Sequence, residues 1–222
     1  MSADIRSNLE SVRERIARAC WRCNRSPAEI TLIAVTKTVS PDFIEQSFNL
    51  GIRDFGENRV QEAERKADFL AGLQPRPTLH MIGHLQSNKV GTALGLFDMI
   101  HSVDSLKLAG ALDRQAIRKI PILLEVNASG EVSKRGFSLP EIGAAIKALA
   151  NLRNIEVRGL MTVAPIESDP EKVRAVFRQL RDLRDSYKLE HLSMGMTDDF
   201  EVAIEEGATM IRLGRAIFGE RG

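Results

Sequence analysis

Thr31-Leu32-Ile33-Ala34-Val35-Thr36-Lys37 is a short apolar run ending in a lysine, and Ser40-Pro41 follows it. The run reads as a β-strand, and serine before proline reads as a cap with proline at the first helical position. This strand-then-helix unit recurs to the end of the sequence. Strand candidates are residues 31–36, 53–55, 79–82, 99–103, 121–127, 155–162, 191–194 and 210–213. The clearest are Ile122-Leu123-Leu124-Glu125-Val126 and Val157-Arg158-Gly159-Leu160-Met161. A first helix over about residues 4–23 precedes them all.

Helices fill the gaps between strands, several with start and stop signals. Gly51 closes the helix opened by Pro41, and Gly207 ends another. Ser138-Leu139-Pro140-Glu141 and Asp198-Asp199-Phe200-Glu201 read as capping boxes. Over residues 169–187, Val173, Val176, Phe177, Leu180 and Leu183 make one apolar stripe, as on a helix facing a sheet. Eight strands alternating with helices predict a parallel sheet and match a closed (β/α)8 TIM-type barrel with an extra N-terminal helix. An open doubly wound sheet is the alternative, but it normally has fewer strands, and no G-x-G-x-x-G follows the first strand. With no linker, repeat or low-complexity stretch, residues 1–222 are expected to form a single domain.

Composition narrows the function classes. Of 222 residues, 43% are hydrophobic, and no apolar run approaches membrane length, so no membrane partner is expected. The net charge of +1, with both signs interspersed, gives no reason to expect nucleic acid. The first residues lack a secretory pattern, and the cytoplasm is the expected location. Cys20 and Cys23 form one C-x-x-C, but near the end of a helix and without two further ligands. They are expected to pack on the helix face, and no metal site is expected.

In such a barrel, residues just after the strands converge on one rim, where function lies. Lys37 follows the first strand; with apolar neighbours its amine could lose its charge and act as a nucleophile, or it could be a salt-bridge donor. The loops after strands seven and eight commonly hold a phosphate. There, Gly195 and Gly214 allow close backbone approach, Thr197 offers a hydroxyl, and Arg215 a charge. A lysine beside a phosphate cup suggests a phosphorylated carbonyl compound held as a Schiff base. Pyridoxal 5'-phosphate and the sugar phosphates of class I aldolase-type enzymes both fit.

Six ordered segments then resemble one family: Ala34–Thr38, Phe55–Glu62, His80–Lys89, Arg158–Thr162, Leu192–Asp199 and Arg212–Gly219. Together they are similar to the pyridoxal phosphate homeostasis proteins, whose fold resembles the N-terminal barrel of alanine racemase. The resemblance implies pyridoxal 5'-phosphate as cofactor, carried on Lys37 as a Schiff base. It implies that the loop from Ser193 through Gly195 to Thr197, with Gly214 and Arg215, holds the phosphate. Asn58 would line the pocket, and Arg212 would face the pyridine nitrogen, leaving the ring a poor electron sink. Arg215 stands where the family often has threonine or serine, so it either replaces a hydroxyl contact or points to solvent. Leu79-His80-Met81 likewise stands where the family often has an aromatic.

Racemases of this fold take a second base, a tyrosine, from a separate C-terminal domain across a dimer. Here the sequence ends soon after strand eight, and the only tyrosine, Tyr187, is expected at the opposite rim. His84 and His101 read as hydrogen-bonded structural residues, while Glu57, Asp198 and Asp199 read as loop and helix-cap groups. No catalytic residue is therefore assigned. The expectation is a monomeric carrier or regulator in vitamin B6 cofactor and amino-acid homeostasis with little or no turnover. Pyridoxal phosphate-dependent apoenzymes are candidate partners, and a low-activity racemase is the alternative.

Overall fold

Every apolar run read as a strand becomes one in the computed structural model, which describes residues 4–131, 135–165 and 169–219. The strands are β1 (Thr31–Val35), β2 (Asp54–Glu57), β3 (Thr78–Met81), β4 (Met99–Val103), β5 (Ile120–Asn127), β6 (Phe137–Ser138), β7 (Ile155–Met161), β8 (His191–Ser193) and β9 (Met210–Leu213). Eight of them pair in parallel in the order β4-β3-β2-β1-β9-β8-β7-β5, and β4 pairs with β5 to close the ring. The two-residue β6 was not foreseen; it adds to the end of β5, Val126 facing Phe137.

The ring divides apolar residues by the twofold alternation of a strand. Ile33, Met99, Leu123, Met161 and Met210 face inward and form their own cluster inside the barrel. Their outward neighbours, such as Ala34, Ile100, Leu124, Leu160 and Ile211, join the larger core beneath the helices. The helices are α1 (Ile5–Arg22), α2 (Pro41–Asn49), α3 (Val60–Gly72), α4 (Val90–Leu96), α5 (Leu106–Gln115), α6 (Ile142–Leu149), α7 (Pro170–Ser186), α8 (Phe200–Glu205) and α9 (Arg215–Phe218). Among the described residues, no helix is long and apolar enough to cross a membrane.

The extra N-terminal helix has a structural task. α9 has only 4 residues, too few to cover the seam where β9 meets β1. α1, with Ile5, Leu9, Val12, Ile16, Ala19 and Cys20 buried on one stripe, packs against α8, α9 and α2 and covers it. Polar ties fix its place: Asn8 donates to the Ile217 carbonyl at 3.0 Å, and Arg15 pairs with Glu201 at 2.9 Å. Just past α1, Arg25 donates to the carbonyls of Ile204 (2.9 Å) and Ala208 (2.8 Å). Cys20 is buried and Cys23 half-buried, both free; burial pushes both thiols up, so they stay protonated and serve packing.

Two local expectations are corrected. The Asp198–Glu201 capping box does not form: Asp199 Oδ1 accepts the Met196 N–H at 2.5 Å, and Glu201 is drawn to Arg15. Ser40 precedes α2 without capping it through its side chain, so Pro41 alone marks that start. The Ser138–Glu141 box does form, on a single 3-10 turn leading into α6.

Candidate functional site

Lys37 begins the turn after β1, half-buried, and the turn is held from below. The buried Thr36 donates its N–H to the Gly56 carbonyl at 3.0 Å and its hydroxyl to Glu57 Oε1 at 2.7 Å. Lys66, reaching over from α3, donates to the Thr36 carbonyl at 2.6 Å and to Glu57 Oε1 at 2.7 Å. Thr38 takes the left-handed conformation, φ 62°, and its N–H donates to Glu62 Oε2 at 3.2 Å. The Lys37 side chain lines a cavity of about 480 Å³ with Val35, Val39 and Phe43 on its own side and Gly214, Arg215 and Phe218 on the other.

Inside the barrel a chain of hydrogen bonds ends at Arg212. Asp54 Oδ1 lies 3.0 Å from His80 Nε2, and His80 Nδ1 lies 3.0 Å from His101 Nε2. His101 Nδ1 lies 2.9 Å from Ser193 Oγ, which accepts from Arg212 Nη1 at 2.6 Å. Arg212 Nη2 donates to the Thr162 carbonyl at 2.8 Å. The two ends decide every proton between them. A carboxylate only accepts, so His80 carries its proton on Nε2; His101 then donates from Nε2, and Ser193 donates to His101 Nδ1. His101 is neutral in this arrangement. Burial, then His80 and Arg212, holds His101 well below the ordinary imidazole value. Burial also pulls Arg212 down to about 10, against the opposing pull of Asp199 and Glu125. It therefore keeps its charge at neutral pH.

The remaining expected residues divide between two places. Ser193 is fully buried, its hydroxyl committed to Arg212 and His101, so it belongs to this network inside the barrel and does not face solvent. Gly195 has φ 94°, and a Cβ there would lie 2.6 Å from Ala203 Cβ, so glycine lets this loop close onto α8. Thr197 Oγ1 is 3.4 Å from the Ala216 N–H, which ties the two loops together. At Gly214, by contrast, a Cβ would meet nothing nearer than 3.6 Å, so this stretch of backbone is open to the cavity. Arg215 is half-exposed and pairs with Asp198 across the two loops.

Asn58 does not line the Lys37 cavity. It lines a neighbouring one. Its Oδ1 and the Oε2 of Glu57 are the only buried side-chain polar atoms without a hydrogen-bond partner among the described residues. Such atoms are rare in folded proteins, and each calls for an explanation. Their falling on two consecutive residues at the end of β2 singles out this rim. Glu57 itself corrects an expectation: it is the last residue of β2 and fully buried, not a loop group. His101 is hydrogen-bonded as expected, and so is His84, exposed between Arg135 and Asp104. Tyr187 caps the end of α7, just before β8.

A closed parallel barrel with a lysine after the first strand and facing loops after the last two defines a class. Residues 4–222 match the family model described as alanine racemase, N-terminal domain. Curated relatives sharpen this: pyridoxal phosphate homeostasis proteins of Aquifex aeolicus (42% identical, covering 96% of each chain) and Escherichia coli K12 (40% identical, 98% of this chain and 97% of that one). The chain belongs to the pyridoxal phosphate homeostasis protein family. Among solved structures, PipY of Synechococcus elongatus with pyridoxal phosphate bound is 36% identical, with a TM-score of 0.84 over 97% of this chain and 100% of that one. An unknown protein from Bifidobacterium adolescentis is 36% identical, with a TM-score of 0.89 over 98% of both. Alanine racemase of Corynebacterium glutamicum shares the fold, at 19% identity and a TM-score of 0.71, over 98% of this chain but 61% of that one.

Proposed function

We propose that this protein holds pyridoxal 5'-phosphate on Lys37 and contributes to keeping that cofactor available, without sustained turnover. The observation that carries the reading is the Lys37 cavity, in a chain whose relative PipY was solved with pyridoxal phosphate bound. The residues fit the group: an amine on one wall, open backbone and a guanidinium on the other, and unpartnered buried oxygens on the adjoining rim. The cofactor supplies an aldehyde that condenses with an amine. Lys37 is the attachment point. Gly214 and Arg215, with the Gly195–Thr197 loop packed behind them, bind the phosphate. Arg212, held by Ser193 and the Thr162 carbonyl, orients the ring nitrogen and keeps its own proton. Asn58 stands at the boundary with the next cavity. Candidate recipients are pyridoxal phosphate-dependent apoenzymes, and the protein acts as a monomer.

The test is mass spectrometry of protein incubated with pyridoxal phosphate and reduced with borohydride. The pyridoxyl adduct is expected on Lys37 and lost in Lys37→Ala. An adduct elsewhere, or none, overturns the attachment. Lys37-dependent α-proton exchange of amino acids in deuterated buffer at enzymatic rates overturns the absence of turnover.

A further inference from the structure

We propose a second ligand site beside the Lys37 cavity, one that takes a phosphate monoester. A cavity of about 550 Å³ lies between the start of α3 and the segment joining β3 to α4. That is within the roughly 300–1,000 Å³ of small-molecule sites. Arg59, Arg65 and Lys89 line it, with Glu62 as the only acid on its wall. No ion pair holds any of these three cations among the described residues, while Glu62 accepts the Thr38 N–H. Three cations against one carboxylate leave a surplus of two positive charges. A dianionic phosphate ester matches that surplus; a carboxylate leaves half of it uncompensated.

Two further features favour an anion here. α3 has 13 residues and no side-chain cap, so its N-terminal dipole adds to the pull on an anion. Gly83 lets the β3 end close against Asn58, because a Cβ there would lie 2.4 Å from the Asn58 carbonyl oxygen. The site is therefore braced by backbone.

Glycerol 3-phosphate, titrated calorimetrically, tests the site in protein whose Lys37 cavity is filled with borohydride-fixed pyridoxal phosphate. One equivalent is expected to bind, more tightly than inorganic phosphate, and about tenfold or more weakly in Arg59→Gln/Lys89→Gln. Lack of binding by the filled protein overturns the proposal, and so does unchanged affinity in the double variant with its circular dichroism intact. If no adduct forms, the function proposed above fails instead. The same titration of untreated wild-type and double-variant protein then decides this site.

Discussion

Lys66 braces the turn that carries Lys37. Its ammonium holds both the Thr36 carbonyl and Glu57, whose side chain is fully buried while that of Lys66 is 12% exposed. Removing one member of a buried pair strands the other charge. Lys66→Met is therefore expected to lose about 3–5 kcal/mol in urea unfolding, with much of the loss recovered in Glu57→Gln/Lys66→Met. Little of this was legible in the sequence. Lys37 announced itself because it ended an apolar run. Glu57 looked like a loop residue because β2 extends two residues beyond its apolar segment, and nothing local tied Lys66 to Glu57.

Among the elements, α1 makes the sharpest contrast between apolar and charged contacts. Leu9 is 1% exposed in the seam, and Leu9→Ala is expected to lose about 2–5 kcal/mol by thermal or urea unfolding. Arg15→Ala removes a partly exposed ion pair with Glu201 and should lose no more than about 1 kcal/mol. If the two variants lose equal stability, α1 is not covering a core. Apart from the two-residue β6, element existence was readable, because aliphatic runs bounded by caps and glycines leave little choice between strand and helix. β4 and β9 match their expected limits, while β2 and β3 shift by one or two residues, where polar ends share the sheet's hydrogen bonds. The task of α1 was not readable. Its amphipathic stripe was plain, but only the brevity of α9 shows what the stripe covers.

At the scale of the whole molecule, the bond between His101 and Ser193 crosses the barrel from β4 to β8, strands that are not neighbours in the ring. The residues of this chain come from five strands and meet only when the ring closes, so no spacing in the sequence could reveal it. It makes a pH prediction. In the folded protein His101 resists protonation, while in the unfolded chain it titrates near 6.5. The unfolded state therefore binds the extra proton. The stability this contributes is fully present above about pH 6.5 and is lost as the pH falls below it, by at most about 1.4 kcal/mol per pH unit. Glu125 and Asp199, whose carboxyls burial pushes up, act in the opposite sense. The readout is accordingly a difference: between pH 7 and 5, wild-type unfolding free energy should fall more steeply than that of His101→Gln. Parallel slopes would remove His101 as the cause.

The seam between β9 and β1 has a consequence for how the chain comes into being. α1 leaves the ribosome before any strand of the barrel, yet two of the surfaces it docks on, α8 and α9, begin at Phe200 and Arg215. Much of its apolar stripe must wait, exposed, while the strands of the ring are made. β1 likewise gains its second neighbour only when β9 arrives. Barrel closure and helix docking are thus one late event of long sequence separation, and it is during that wait that the nascent chain has most need of a chaperone's cover.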